Sequence, residues 1–326
     1  MKKILFLSSA VLAIGLSIGQ PQHRTVGASE AIGSKQLSLE ETAIASNPGP
    51  QVKLLHRGAK PRQKLRFQPT ANAKQTMTTI VKMDVVTLVE GQPWRQIKMP
   101  EIVMQAEMVI TQVDANGDIH SEFTYTDAQI KPDPDPTVPP DAIAGISAEI
   151  KKLVGISGSS IVDNRGQVKS TKLNLPERFN PNTEQLFARM LKSFDQIASP
   201  VPAEVVGIGA KWQVSAAPKL NGINLTQQTT YELVKFQNNV ATLEVAIQQQ
   251  APSQEMTSPG LPAGATVTMK SFQGQETGQI TLQMDGAMLV TSNIDLVSQT
   301  EMNARRNGQS ANFGTEISMQ ITIQSN

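Results

Sequence analysis

Long segments in which apolar and polar residues alternate constrain the fold of this chain most. They are clearest in KQTMTTIVKMDVVTLVE, residues 74–90, and in EIVMQAEMVITQV, residues 101–113. A period of two places successive side chains on opposite faces of a β-strand. Each segment therefore predicts a strand with one dry face and one wet face, as in an antiparallel sheet. The predicted dry faces hold Met77, Val81, Met83, Val85 and Val89 in the first strand, and Ile102, Met104, Ala106, Met108 and Ile110 in the second.

Turn residues divide the rest of the chain into further predicted strands. Asn116-Gly117 predicts a tight hairpin, after which DIHSEFTYTDAQI places Ile119, Phe123 and Tyr125 on one side. Residues 164–166 predict a second hairpin turn. Beyond residue 200 we predict strands in GAKWQVSA, NLTQQTTYELVKF, NVATLEVAIQQQA, TGQITLQMDGAMLV, a segment near 293–303, and GTEISMQITIQ.

Two segments change to a helical period. The run KPDPDPTVPP interrupts strand pairing and predicts a stiff crossover from the sheet onto a helix over about residues 141–154, with Asp141 as its N-cap and Gly155 as its end. A second helix is predicted over 183–197. The apolar stripe of the first helix contains Ile143, Ile146, Ile150 and Leu153, and that of the second contains Leu186, Phe187, Met190, Leu191, Phe194 and Ile197.

These elements predict an α+β fold that is mainly β. We expect a large curved antiparallel sheet, half-barrel-like, with the two amphipathic helices packed on its concave face. Residues 20–50 predict a flexible leader. Residues 51–326 predict a single β-rich domain with two similar β-regions, about 51–175 and 204–326, joined by the helix at 183–197. Two separate β-domains divided near residue 200 are the alternative.

The first residues indicate export. Lys2 and Lys3 precede an uncharged apolar stretch over residues 4–18, which is typical of a secretory signal peptide at 1–19. Cleavage after Gly19 or after Ala28 fits, and an uncleaved anchor is the alternative. The chain has no cysteine, which excludes disulfides and a lipobox. We therefore expect a periplasmic or secreted soluble protein with no transmembrane segment after signal removal.

Charge and candidate ligands argue against several functional classes. The net charge of +1 provides no strong positive electrostatic field, which argues against a nucleic-acid-binding protein. A basic concentration over residues 53–74 predicts a solvated edge, or alternatively a surface that meets anionic lipid headgroups. Asp114, Asn116 and Asp118 have the opening spacing of a calcium loop, but Ile119 and Tyr125 stand where such a loop needs Gly and Glu, so a hairpin is favoured. Prolines keep the chain around Asp133, Asp135 and Asp141 extended, so these carboxylates do not converge, which argues against a metal site.

Motifs for covalent catalysis are absent from the sequence. It contains no thiol, no complete G-x-S-x-G motif and no Walker motif. The sequence therefore yields no catalytic, cofactor-binding or metal-binding residues, and we expect a non-enzymatic protein without a cofactor. A hydrolase with dispersed carboxylates remains as an alternative.

The 13 methionines are the least ordinary feature of the composition. Methionine fills irregular gaps in cores and also suits surfaces that accept varied apolar ligands. One interpretation is an ordinary core, and the other is an apolar cavity for a lipid or another hydrophobic small molecule. Under the second interpretation the residues predicted to face the ligand are Met77, Val81, Met83, Met104, Met108, Phe123, Ile150, Met190, Phe194 and Met319.

Several stretches carry a resemblance to a known family. LLHRGAKPRQKLRF, GAKWQV, TTYELV and TLEVAIQQQA resemble a family of exported bacterial proteins of unknown function. The resemblance brings no functional residues. The expected architecture is also similar to periplasmic lipoprotein carriers, whose concave apolar face holds acyl chains. Two functions follow as hypotheses: a protein that binds or shuttles a hydrophobic ligand, and a structural or protein-interaction module of the cell envelope that uses strand edges or the loops 132–140 and 251–265.

Overall fold

The fold of this chain was determined as a computed structural model. It describes residues 35–38, 50–132, 137–175, 201–220, 223–256, 265–286, 288–306 and 308–326. The predicted signal peptide, most of the predicted leader and the predicted helix at 183–197 lie outside these residues, and so do Asp133, Asp135, Met190 and Phe194.

Strands dominate the described chain. Their bounds are β1 Lys35–Ser38, β2 Gln51–Arg57, β3 Gln63–Lys64, β4 Lys74–Val89, β5 Gln92–Val113, β6 Ile119–Ile130, β7 Ser157–Val162, β8 Val168–Leu175, β9 Val205–Val206, β10 Ala210–Ala216, β11 Lys219–Leu220, β12 Ile223–Asn224, β13 Thr226–Gln237, β14 Val240–Ala251, β15 Gln254–Met256, β16 Ala265–Gln283, β17 Met288–Arg306 and β18 Gln309–Ser325. One helix, α1, covers Pro140–Lys151 in the described residues.

Fourteen strands form one antiparallel sheet. Its order is β1-β8-β7-β6-β5-β4-β18-β17-β16-β14-β13-β10-β2, with β15 added beside β16. The C-terminal strand β18 pairs with β4, which joins the strands of both predicted β-regions in a single sheet. The mainly-β class and the large antiparallel sheet are thereby confirmed, and the ends of the sheet are β1 and β2.

Alternation sets the inner face of the sheet as predicted over most of β4 and β5. At the end of β4 the prediction was wrong, because the β4–β5 register shifts between Thr87 and Leu88, leaving Val89 43% exposed and Leu88 buried. In β4, Met77, Val81 and Met83 are buried, whereas Thr76 and Lys82 are exposed. The whole predicted dry face of β5 is buried as well. Both predicted hairpin turns form. Gly117 and Gly166 have φ values of 87° and 84°, which glycine adopts without the strain that a Cβ would introduce.

Helix α1 covers part of the inner face. Ile146 and Ile150 are buried and belong to the main hydrophobic cluster of the sheet. The helix therefore packs as predicted, but both ends differ. It stops at Lys151, with Lys152 as its C-cap, and not at Gly155. Pro139 is the N-cap residue and makes no side-chain cap, while Asp141 lies in the first turn, so the predicted Asp141 cap was wrong. Proline at the first helical position fixes φ and lacks the N–H that a cap would satisfy, and this preference decides the start. Because the second helix falls outside the described residues, the two-helix arrangement is not borne out.

Residues 58–73, which we call the strap, connect β2 at one end of the sheet to β4 in its middle. Three backbone N–H groups of the strap donate to carbonyls far away in sequence: Phe67 to Asn164 at 2.7 Å, Gln68 to Met284 at 2.7 Å and Asn72 to Ile110 at 2.7 Å. Leu65 and Phe67 are each 1% exposed and join the main hydrophobic cluster. The strap therefore packs against the core and links separate parts of the sheet.

Candidate functional site

The inner face of the sheet brings most of the predicted ligand-facing residues together. Met319 pairs with Met83, and Met83 pairs with Met99 on the next strand. Met104 pairs with Thr79, and Met77 pairs with Ala106. Directly paired residues of an antiparallel sheet lie on the same face, about 5 Å apart. We call Met77, Met83, Met99, Met104 and Met319 the methionine face.

The methionine face is fully covered. Its five side chains are between 4% and 7% exposed. They share one hydrophobic cluster with Val81, and with Ile146 and Ile150 of α1. Burying a methionine side chain contributes about 2 kcal/mol to stability, so this face is a substantial part of the core. Its role toward a ligand remains a prediction.

Two predicted residues lie apart from this cluster. Met108 and Phe123 are buried and pair with each other across β5 and β6, but neither belongs to the main cluster. Register shifts in the β5–β6 pairing lie between Gln105 and Ala106 and between Ile110 and Gln112, on either side of this pair. Phe123 makes an edge-to-face contact with Tyr125 at a centroid distance of 6.0 Å, and burial raises the pKa of Tyr125 to about 12.

Sequence reasoning missed Met99, which completes the methionine row. It also missed a polar patch on the same inner face. Along one row of paired residues, Thr229 lies beside Ile247, Ile247 beside Glu276, and Glu276 beside Leu296. Leu296 in turn pairs with Met319, so the row continues into the methionine face. We call the group of Gln227, Thr229, Gln249, Glu276 and Ser298 the polar inner patch.

Hydrogen bonds organise the polar inner patch. The Gln249 Nε2 group donates to Gln227 Oε1 at 2.8 Å, and Gln227 Nε2 donates to Thr229 Oγ1 at 3.3 Å. A Cβ at Gly274, which pairs with Gln249, would lie 3.3 Å from Gln249 Oε1, so the glycine leaves room for that side chain. Gln227, Thr229 and Ser298 are each 3% exposed or less.

Glu276 is the buried ionisable group of this patch. It is 3% exposed, and its paired neighbours Ile247 and Leu296 are buried aliphatic residues. Burial raises the pKa of its carboxyl from the ordinary 4.5 to about 7. Loss of hydration disfavours the charged form, so the Glu276 carboxyl keeps its proton at acidic pH, up to about pH 7. The sequence does contain an indication of this burial. Glu276 precedes Ile280 and Leu282 by even numbers of positions in ETGQITLQ, which places it on the same face of the strand as these apolar residues.

The two aspartates in the turn that resembles the start of a calcium loop bind basic side chains of the protein itself. Lys169 Nζ lies 2.6 Å from Asp118 Oδ2, and His120 Nε2 lies 2.8 Å from Asp114 Oδ2. The hydrogen bond from His120 holds the pKa of Asp114 below its usual range. The turn closes a hairpin between β5 and β6, as predicted, in which Asp114 N–H donates to the Asp118 carbonyl at 2.8 Å, and Lys169 reaches the turn from β8. No cluster of His, Cys, Asp and Glu suited to a metal ion occurs in the described part of the chain.

No helix within the described ranges combines the length and apolar character needed to cross a membrane. Among solved structures, the chain is similar to the outer membrane protease OmpT from Escherichia coli. The match has 7% sequence identity and a TM-score of 0.22, and it covers 81% of this chain and 99% of that chain. At this TM-score the likeness carries no argument about fold or function.

A comparison with functionally curated proteins finds no match. A protein-family model does match. This agrees with the resemblance to an uncharacterised family, and the matched segment includes β13, β14 and β16, which contribute most of the polar inner patch. Over residues 147–288 the chain is similar to a family of unknown function, DUF6263.

Proposed function

We propose that this chain is an exported, soluble and non-enzymatic protein of the cell envelope that binds or shuttles a lipid or another hydrophobic molecule. The observation that carries the proposal is the methionine face, in which five buried methionines lie on the neighbouring strands β5, β4 and β18. Flexible, polarisable side chains can repack around apolar ligands of different shape. Export is supported by the signal-like first residues.

The position of the ligand follows from the elements that cover this face. Ile146 and Ile150 of α1 belong to the same hydrophobic cluster as the methionine face. An acyl chain would lie between the methionine face and α1, where apolar side chains surround it from both sides. A bound chain would thereby exchange water for apolar contacts, which contributes about 0.8 kcal/mol for each buried methylene group.

The first experiment asks whether the protein carries a ligand. Protein purified from its native envelope is examined by native mass spectrometry, and its organic extract is analysed for lipids. We expect a bound lipid at substoichiometric or higher occupancy. A protein that is empty in both measurements, and that does not bind fatty acids of 12 to about 18 carbons added at micromolar concentration, would contradict the proposal.

A matched pair of variants then locates the site. Met83→Leu, Met99→Leu and Met319→Leu together conserve volume but remove the flexible thioethers. We expect this variant to bind a narrower range of chain lengths than the parent. Met269→Leu with Met302→Leu is the control, because both residues are buried but lie outside the main cluster. Equal changes in both variants would place the ligand elsewhere.

A second candidate function, a protein-interaction module, is supported by a different observation. Trp94 is 70% exposed near the start of β5. The pairing of β5 with β6 covers residues 102–113, and among the described strands residues 92–97 pair with β4 alone. An open strand edge can accept a strand from another protein. Envelope extracts passed over the parent and over Trp94→Ala would test this, and identical captured proteins would count against it.

A further inference from the structure

Three exposed aliphatic residues lie in segments that come together where the strap leaves β2. Leu55, Val205 and Ile208 are 49%, 39% and 45% exposed. Backbone hydrogen bonds join the segments that carry them: Gly207 N–H donates to the Arg57 carbonyl at 2.9 Å, and Ala59 N–H donates to the Ile208 carbonyl at 2.8 Å. Val205 also pairs with Lys64 in the short ladder of β3 and β9. Segments distant in sequence thus form one surface.

Basic residues surround these aliphatic side chains. Lys53, Leu55 and Arg57 are all exposed in the edge strand β2, whose pairing with β10 shifts register between Leu54 and His56. Lys60 and Lys64 follow in the strap and are exposed as well. We call Lys53, Leu55, Arg57, Lys60, Lys64, Val205 and Ile208 the outer patch.

The charge of the outer patch is not neutralised by neighbouring acids. Residues 42–83 contain no Asp or Glu. In the ranges that the structure describes, no carboxylate forms an ion pair with Lys53, Arg57, Lys60 or Lys64. Glu204, next to Val205, is the one acidic residue adjacent in sequence to the aliphatic side chains. Four unpaired cations therefore face solvent beside three aliphatic side chains.

The backbone beneath the outer patch is closely packed. A Cβ on Gly207 would lie 1.9 Å from the Ala59 carbonyl oxygen, and a Cβ on Gly58 would lie 2.2 Å from the Gly207 carbonyl oxygen. Both arginines that follow in the strap bind backbone carbonyls. Arg62 donates to Gly58, and Arg66 donates to Pro202 and Ala203. The patch is therefore held in one arrangement, which lowers the entropy lost when it binds a partner.

We propose that the outer patch docks the protein on a membrane surface that contains anionic phospholipids. Aliphatic side chains enter the boundary between headgroups and acyl chains, while Lys and Arg are attracted by the negative surface potential. A nucleic-acid surface would use the cations but would leave Leu55, Val205 and Ile208 without apolar contacts. The inference does not depend on the proposed ligand site, because the outer patch is a separate, solvent-exposed surface.

Vesicle flotation tests the docking. The parent chain without residues 1–19 is mixed with vesicles of phosphatidylcholine alone or of phosphatidylcholine with about one-third phosphatidylglycerol, where basic residues gain the most. We expect flotation with the anionic vesicles, weak flotation with the neutral ones, and loss of flotation at about 0.5 M NaCl, because salt screens exposed charges. Absence of flotation with anionic vesicles at low salt would overturn the proposal.

Two variants separate the contributions, and a third is the control. The first variant should reduce partitioning of the protein onto anionic vesicles more than about tenfold, since each basic residue near the surface contributes to attraction. It combines Lys53→Gln, Arg57→Gln, Lys60→Gln and Lys64→Gln. Leu55→Ser with Ile208→Ser should weaken binding while leaving its salt dependence in place. The control replaces four other exposed cations with Gln: Lys172, Lys270, Arg305 and Arg306.

The outcomes are distinct. A control variant that loses as much binding as the patch variant would mean that net charge alone decides, which overturns the proposal. Equal binding to a short DNA duplex, unaffected by the serine substitutions, would indicate a general polyanion surface and would also overturn it. If the vesicles bind but no lipid is ever extracted from the protein, the docking stands and the proposed ligand site fails.

Discussion

The methionine face and the polar inner patch occupy the same face of one sheet but differ in chemistry. In the first, methionine pairs directly with methionine, as at Met83 and Met319, and a buried threonine, Thr79, lies beside Met104. In the second, a network of glutamine and threonine surrounds a row that contains a buried carboxyl, Glu276. Leu296 pairs with Glu276 on one side and with Met319 on the other, so a single residue separates the two regions. Period-two patterning therefore fixes which side chains are buried, whereas the residues chosen decide what the buried surface can do.

The largest expected effect comes from placing a carboxyl in the methionine face. Met319→Glu should lower the free energy of unfolding at pH 8 by about 5 kcal/mol, because apolar contacts are lost and a charge is buried without a partner. Urea unfolding followed by circular dichroism measures the change. Met319→Leu is the control and should cost less than about 1.5 kcal/mol. Similar free energies of unfolding for the two variants would show that the methionine face tolerates charge. The proposed contrast with the polar inner patch would then be wrong.

Whereas adding a carboxyl to the methionine face should destabilise the protein, removing the carboxyl of Glu276 should stabilise it, by an amount that depends on pH. Its pKa is about 7 in the folded protein and near 4.5 when unfolded, so between these values the folded state binds more protons. The free energy of unfolding therefore falls as the pH rises from about 4.5 to 7, and the loss is complete above that range. Glu276→Gln removes this dependence. We expect the variant to be more stable than the parent at pH 8, by at most about 3 kcal/mol, and unchanged at pH 4.

Thermal unfolding of parent and variant at several pH values measures this difference. Glu122→Gln is a suitable control, because Glu122 is exposed on β6. A parent whose stability rises between pH 5 and 7 relative to the Gln variant would contradict a neutral buried carboxyl. The measurement also tells whether the polar inner patch accommodates charge, which we expect the methionine face not to do.

Periodicity predicted the buried face of β5 and most of that of β4, because one buried side forces apolar residues into every second position, but it failed at Val89, beyond a register shift in β4. It did not predict the polar inner patch. The phase of Glu276 with Ile280 and Leu282 was present in the sequence, but a charged residue is normally placed on the wet face. Phase relative to the neighbouring apolar residues would have been the better guide.

The strap could not be predicted from local sequence. Residues 58–73 have no strand or helix period, and their path depends on carbonyls as distant as Asn164 and Met284. The same limit applies to Met108 and Phe123. Their burial follows from alternation, but register shifts on either side separate them from the main cluster. Such shifts insert an extra residue in one strand and leave little trace in a periodic pattern.

A smaller effect should come from the hydrogen-bond network of the polar inner patch. Gln249→Leu removes the donor that Gln227 Oε1 accepts from at 2.8 Å. A buried acceptor without a partner costs about 1–3 kcal/mol, and the apolar leucine recovers part of this, so we expect a net loss of about 1 kcal/mol. Gln227→Leu with Gln249→Leu should then cost less than the sum of the two single variants. Strict additivity in this double-mutant cycle would mean that the two side chains are not coupled.

The smallest effect is expected within the methionine face. Met83→Leu conserves volume and polarity at a residue that is 5% exposed, so the free energy of unfolding should change by less than about 1 kcal/mol. Leucine is stiffer than methionine, so ligand affinity should respond more strongly than stability if the face repacks around a bound chain. Titration with fatty acids of several lengths, beside urea unfolding of the same samples, separates the two quantities. If the methionine face serves only as core, Met83→Leu would change stability without changing the range of fatty acids bound. The methionine face would then differ from the polar inner patch in composition but not in role.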